Sequence, residues 1–208
     1  MGNTNNITAS ILGFVLMLAI LSSCATIPEL NVTYRIPPKT DALNNIEIIL
    51  KFKDNRNDKN IIGDGARKTF ESFPGNIYLS IARDQDKGFM IGLFDVESIF
   101  IKAFEKRLSN MGLIVGMEKR KGRDELVIVL NEFMLDLVGQ SWKAKIIYEA
   151  QLVRDGEIIR KQIIAGDAER LKIIGRSQAD VIMGDTFTDV VNQLDIIKLL
   201  TKVGGYGL

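Results

Sequence analysis

The sequence predicts an α+β fold: a single small domain in which a mainly antiparallel β-sheet packs against two longer α-helices, preceded by a signal segment and a tether. Three observations carry that prediction. Two stretches space apolar residues by threes and fours, several others alternate apolar and polar residues, and an Asp-Gly pair joins two of the alternating runs. At 208 residues the chain can bury one sizeable core and does not require two. The expected division is a signal peptide over 1–23, a lipidated N-terminus and extended tether over 24–45, the α+β domain over 46–203, and a flexible tail over 204–208.

Residues 7–21 form an apolar run, ITASILGFVLMLAIL, too short to cross about 30 Å of hydrocarbon comfortably but of the right length for a signal-peptide core. Leu21-Ser22-Ser23-Cys24 follows and resembles the bacterial lipobox, in which the cysteine thiol receives lipid and small residues precede the cut. The expectation is lipidation of Cys24, with the membrane reached through that lipid. Against a secretory signal stands the absence of Lys or Arg before Arg35; as a plain structural residue, Cys24 would end an ordinary signal peptide or membrane helix. N-myristoylation at Gly2 is set aside because Asn6 stands where that motif wants Ser or Thr. Ala25, rather than an Asp that would resemble an inner-membrane retention signal, favours the outer membrane, facing the periplasm. Pro28, Pro37 and Pro38 mark the tether.

Within the domain, residues 46–52 read as an inner strand, 54–60 as a polar loop, and 77–82 as a short second strand followed by a charged turn at 84–88. Asp95 caps a helix whose apolar positions are Val96, Ile99, Phe100, Ala103, Phe104, Leu108 and Met111, with Gly112 as its stop. A brief strand at 113–115, a charged turn at 119–125 and an apolar strand at 126–133 come next. Trp142, Ala144, Ile146, Tyr148, Ala150 and Leu152 line one face of a long strand, Asp155-Gly156 turns the chain, and 158–165 returns. Ser177 and Asp180 open a last helix reaching to about residue 202, with a stripe of Met183, Phe187, Val190, Leu194 and Ile197.

Composition excludes several chemistries. Lys and Arg total 27 against 26 Asp and Glu, a balance without the electrostatic footprint of nucleic-acid binding. Histidine is absent and Cys24 is the only cysteine, which removes the usual general base, the commonest metal ligand, an internal disulfide and a free catalytic thiol. The expectation is therefore no catalytic residues, no metal and no cofactor.

Four residues stand out as candidate partner contacts: Asp54, Arg56, Gly63 and Trp142. Polar residues on a loop at a strand end are common binding positions. The bland alternative is that Asp54 holds nearby amides, Arg56 closes a local ion pair and Gly63 supplies a positive φ. Trp142 could anchor a partner at an exposed sheet end, although its alternation with Ala144 and Ile146 fits core packing better. Asp84, Asp86 and Glu97 read as solvated turn charges, and Gly63 with Gly65 lacks the spacing of a dinucleotide loop.

Together, Cys24 in its lipobox, the strand followed by Asp54-x-Arg56 and Ile62-Gly63, the helix 96–111 running into Gly112-Leu113, the Arg154-Asp155-Gly156 hairpin and the last helix resemble the YajG family of bacterial lipoproteins. The resemblance implies an envelope lipoprotein that is not an enzyme, with helices on a β-sheet and no cofactor. The expected role is an accessory or binding protein for another envelope protein or an envelope polymer. The alternative is an auxiliary subunit in lipid or lipopolysaccharide transport or assembly, like lipoproteins resembling LptE or ABC-transporter auxiliary components. A glycan-processing enzyme with two carboxylates is the third possibility. Partner identity and oligomeric state are not encoded in any motif.

Overall fold

Strand β1 occupies Leu30–Ile36, inside the stretch that the prolines mark as a tether. Leu30, Val32, Tyr34 and Ile36 alternate into the core, so the prolines on either side bound a strand rather than exclude one. This computed structural model describes residues 29–83, 86, 88–116, 122–173, 175 and 177–201. Cys24, the apolar run before it and the tail after 201 lie outside the described residues, as do Asp84 and residues 117–121 of the two charged turns.

The remaining strands are β2 (Glu47–Asp54), β3 (Ile77–Arg83), β4 (Phe89–Phe94), β5 (Ile114–Gly116), β6 (Asp124–Val138), β7 (Ser141–Arg154) and β8 (Glu157–Leu171). They form two sheets, one in the order β1-β3-β4 and one in the order β5-β2-β6-β7-β8. The prediction of a mainly antiparallel sheet is corrected here, because both sheets are mixed. β1 with β3, β2 with β5 and β2 with β6 are parallel, whereas β3 with β4, β6 with β7 and β7 with β8 are antiparallel. Parallel partners need a crossover between strands distant in sequence, and local patterning does not report it. β2 does lie inside its sheet, as expected of its apolar faces.

Helix α1 (Val96–Asn110) begins at Asp95, whose carboxylate accepts from Ser98 N at 2.7 Å, and ends at Gly112, where φ is 93°. Its predicted stripe is buried from Val96 to Leu108. The rings of Phe100 and Phe104 meet Phe133 on β6, Tyr148 on β7 and Phe187 on the next helix, with centroids 5.1 to 6.0 Å apart. Edge-on aromatic contacts of this kind add stability beyond buried area. They fasten both helices to one face of the larger sheet.

The last helix is not continuous to residue 202. It divides into α2 (Ser177–Gln193) and α3 (Ile196–Thr201), because the end of α2 is claimed twice. The guanidinium of the buried Arg107 donates to the carbonyls of Val191, Asn192 and Leu194, satisfying acceptors that a helix leaves open at its C-terminus. Asp195 then accepts from Lys198 N at 2.8 Å and starts α3. Nearby, Tyr148 donates to Val190 O at 2.7 Å and Tyr34 to Asn192 Oδ1 at 2.9 Å. Burial raises both phenols above the usual tyrosine range.

α2 also closes the free edge of β1. Asp180, Gly184, Thr188 and Asn192 recur every fourth residue and so share one helix face. Asp180 Oδ1 accepts from Asn31 N at 3.0 Å, and Thr188 Oγ1 accepts from Arg35 N and donates to Thr33 O, both at 3.1 Å. Asn192 Nδ2 donates to Arg35 O at 2.9 Å. A Cβ at Gly184 would stand 3.1 Å from Thr33 N, so this close docking depends on glycine.

Candidate functional site

Three segments converge beside the C-terminal end of β2. β2 ends at Asp54 next to a bulge in β6, where the register shifts between Leu130 and Glu132. Asn55 N donates to Leu130 O at 2.8 Å, and the side chains of Asn55 and Asn131 meet at 3.1 Å. Bulges commonly re-aim a strand next to sites of this kind. The chain then returns to β6, with Leu135 N donating to Ile61 O at 2.8 Å and Gly63 N to Leu135 O at 2.9 Å. Residues 64–72 follow as successive turns. Between this loop and the start of α1 lies an open cleft of about 1350 Å³, with Asp54, Arg56, Arg67, Phe73, Asp95 and Glu97 among its walls.

Arg56 is the organising residue. Its Nε and Nη2 donate to Asp54 at 3.0 Å each, and its backbone N does so at 3.1 Å. Lys59 Nζ lies 3.0 Å from the same carboxylate. The Arg56 guanidinium, with help from Lys59, holds the Asp54 carboxyl well below the usual carboxylate range. The Arg56 side chain is 6% exposed against 29% for Asp54, and Arg56 Nη1 has no partner among the described residues. A buried donor without an acceptor costs free energy that a fully paired one would not. The rim carries Lys59, Arg67 and Lys68 with Asp64 and Glu71, and the floor carries Ile61, Phe70 and Val96.

Asp54 and Arg56 therefore line one cleft, and they make the local ion pair that their spacing allows. Gly63 does not line it. Its φ is not positive; instead a Cβ there would stand 2.4 Å from Asp136 Cγ, so glycine is required by close approach to β6. The carboxylate of Asp136 accepts from Ala66 N at 3.1 Å and Leu137 N at 2.8 Å, pinning the loop. Trp142 is corrected as well: it is fully buried, edge-on to Phe70 at 6.0 Å with Lys172 Nζ 5.6 Å over its ring. It supports the cleft floor from beneath rather than standing at an exposed sheet end.

The sequence reading missed Phe70, Phe73, Arg67 and Lys68. Two aromatic residues in a polar segment ending Ser-Phe-Pro-Gly were the available signal. Of the cleft carboxylates, Asp95 caps α1 and its hydrogen bonds to Ser98 lower its pKa, while Asp54 is bound to Arg56. Among the described residues, no cluster of potential metal ligands occurs and no helix is long and apolar enough to cross a membrane.

No family model and no curated protein matches the chain. Among solved structures, it is similar to a DUF330 family protein from Xanthomonas campestris, at 14% identity and a TM-score of 0.54, with 84% of this chain and 96% of that one covered. It is also aligned with a neuraminyllactose-binding hemagglutinin homologue from Helicobacter pylori, at 16% identity and a TM-score of 0.34 over 79% of this chain and 90% of that one. Lipoprotein GNA1162 from Neisseria meningitidis aligns at 14% identity and a TM-score of 0.29 over 71% and 96%. The first likeness shows a shared fold.

Proposed function

We propose that this chain is a lipoprotein of the bacterial outer membrane, resembling the YajG family, held by lipid on Cys24 and facing the periplasm. Its domain is a non-catalytic accessory module that binds another envelope component, a protein or a polymer. The anchor rests on the apolar run ending in Leu-Ser-Ser-Cys. The binding role rests above all on the cleft, where a buried guanidinium with one nitrogen unpartnered among the described residues sits beneath a rim of exposed cations and carboxylates, with aromatic carbon in the floor. Such a mixture recognises a ligand with several hydrogen-bonding groups better than a purely apolar one. A carboxylate acting as general acid needs a raised pKa, and those of Asp54 and Asp95 are both lowered.

A photoreactive residue in place of Lys68, compared with one in place of Ile163 on the far sheet face, tests the cleft in intact cells. The expected result is an envelope adduct from position 68 that is absent from position 163 and lost when Arg67 is also changed to Glu. Equal adducts from both positions would sink the cleft as the binding site. Intact mass of the membrane-extracted chain beside its Cys24→Ser variant tests the anchor separately; a full-length chain without acyl groups would overturn it.

A further inference from the structure

Strand β4 has the sequence Phe-Met-Ile-Gly-Leu-Phe, without a single charge, and it is the outer strand of the smaller sheet. Phe89 is 78% exposed, Met90 54% and Leu93 46%. The opposite free edge of the molecule, β8, also exposes isoleucines, but Arg160, Lys161, Asp167 and Glu169 interrupt them, the usual protection of an edge strand. β4 lacks that protection.

Its exposed residues lie on both faces of the sheet at once. Phe89 pairs with Ile81 on one face, whereas Met90 and Leu93 pair with Ser80 and Tyr78 on the other. A partner laid on one face would not need both. An added strand would cover both, but β4 is poorly shaped to accept one: Ile91 is the extra residue of a bulge between the pairs Leu79–Gly92 and Ser80–Met90, which bends the edge. A fluid apolar medium entered edge-on suits all three residues.

The anchor places such a medium within reach, and on this point the inference depends on lipidation of Cys24. Residues 25–29 separate that cysteine from Leu30, so the first residue of β1 stands no farther than roughly 20 Å from the lipid. In register, Leu30 is opposite Ile77, and Ile77 opposite Phe94. Phe94 is therefore two strand spacings, about 10 Å, from the strand the tether enters, and Phe89, in line with Ile81 and Tyr34, lies roughly 13 Å farther along, still within the span of such a tether. Beside Phe89 lies a hollow of about 580 Å³ bordered by Ile36, Ile81, Arg83, Asp86 and Lys106. Neither Arg83 nor Lys106 forms a salt bridge among the described residues, and cations flanking exposed apolar side chains suit an anionic lipid surface.

We propose that the β4 edge is a second, non-covalent membrane contact, in which Phe89, Met90 and Leu93 enter the interfacial layer of the anchoring bilayer while Arg83 and Lys106 face lipid phosphates. Entry is shallow, because the unpaired backbone of an edge strand must keep its hydrogen bonds to water. The contact fixes which way the cleft points from the membrane.

The test uses the membrane-extracted full chain, reconstituted in phosphatidylethanolamine–phosphatidylglycerol vesicles with or without bromine in the upper acyl chain. Phe89→Trp and Leu93→Trp each add one emitter to the buried Trp142, whose own emission reports an intact core. Added emission at 89 and 93 is expected to be blue-shifted and to fall about two-fold with brominated lipid, as for a side chain 5–10 Å into the interface, while Ile163→Trp stays unquenched. Quenching at 89 and 93 no greater than at 163 overturns the proposal. So does a blue shift without quenching, which would mark cover by protein. Intact mass of the same samples separates the two ideas: an acylated Phe89→Trp chain whose added emission is unquenched removes only the β4 contact, and quenching without acylation removes only the lipid anchor.

Discussion

Two buried arginines divide the molecule. Arg107 lies between α1 and α2 and spends its guanidinium on three backbone carbonyls at one helix end; burial lowers its pKa, opposed by the nearby Tyr34, Tyr148 and Asp195. Arg56 lies in a loop, is neutralised by a carboxylate two residues earlier, and keeps one nitrogen unpartnered among the described residues. The first closes a junction between elements separated by more than 80 residues. The second builds a wall of an open cleft and leaves a donor over. One cation is spent entirely on the fold, and the other keeps one buried donor without a partner among the described residues.

The largest expected effect lies with the junction. Arg107→Met strands several helix-end carbonyls in the core while removing a buried charge, and is expected to cost about 3–4 kcal/mol in a denaturant titration. Gly65→Ala comes next, at about 2–3 kcal/mol, because its Cβ would stand 1.9 Å from Leu137 O and the loop would have to leave β6. Asp54→Asn leaves the Arg56 guanidinium without its counter-charge. Partial exposure of Asp54 moderates this to about 2 kcal/mol.

The pH dependence of that third variant sharpens the comparison. The Asp54 carboxyl has a lowered pKa in the folded chain, so its stabilisation is fully present above the unfolded value of 3.8 and is lost as pH falls toward the lower folded value. The gap between wild type and Asp54→Asn should therefore be constant from neutral pH down to about 3.8 and narrow below it. A constant gap throughout the acid range would mean that the ion pair contributes nothing. The smallest effect belongs to Arg56→Met, expected within about 1 kcal/mol of wild type because an apolar side chain relieves both the buried charge and the orphan donor. If it costs as much as Arg107→Met, the two arginines do the same work and the contrast collapses.

What the sequence disclosed is what local chemistry determines. Helix α1 was legible from its stripe, its Asp95 cap and Gly112, and the β7–β8 hairpin from Asp155-Gly156, where both φ values are positive. Arg154 at that turn binds Asp124 through Nε at 2.6 Å and Nη2 at 2.9 Å, a partner thirty residues away that no motif announces. β1 escaped notice because three prolines outweighed a seven-residue alternation. β4 escaped because a continuous apolar run interrupted by Gly92 has no period. The break between α2 and α3 contains neither glycine nor proline, and its cause, Arg107, comes from another helix. At the site, Asp54 with Arg56 could be read from their spacing, whereas the role of Gly63 depended on Asp136, seventy-three residues later.

The seam between β1 and α2 also bears on how the chain is made. Asn31, Tyr34 and Arg35 find their hydrogen-bond partners at Asp180, Asn192 and Thr188, about 150 residues downstream. A chain emerging N-terminus first thus presents the open side of its first strand until nearly all of it has emerged, and such distant closures are slow. Truncation before Ser177 leaves that side permanently bare, a template for pairing with other chains. Completion of α2 is what takes that side of the nascent chain out of reach of other chains.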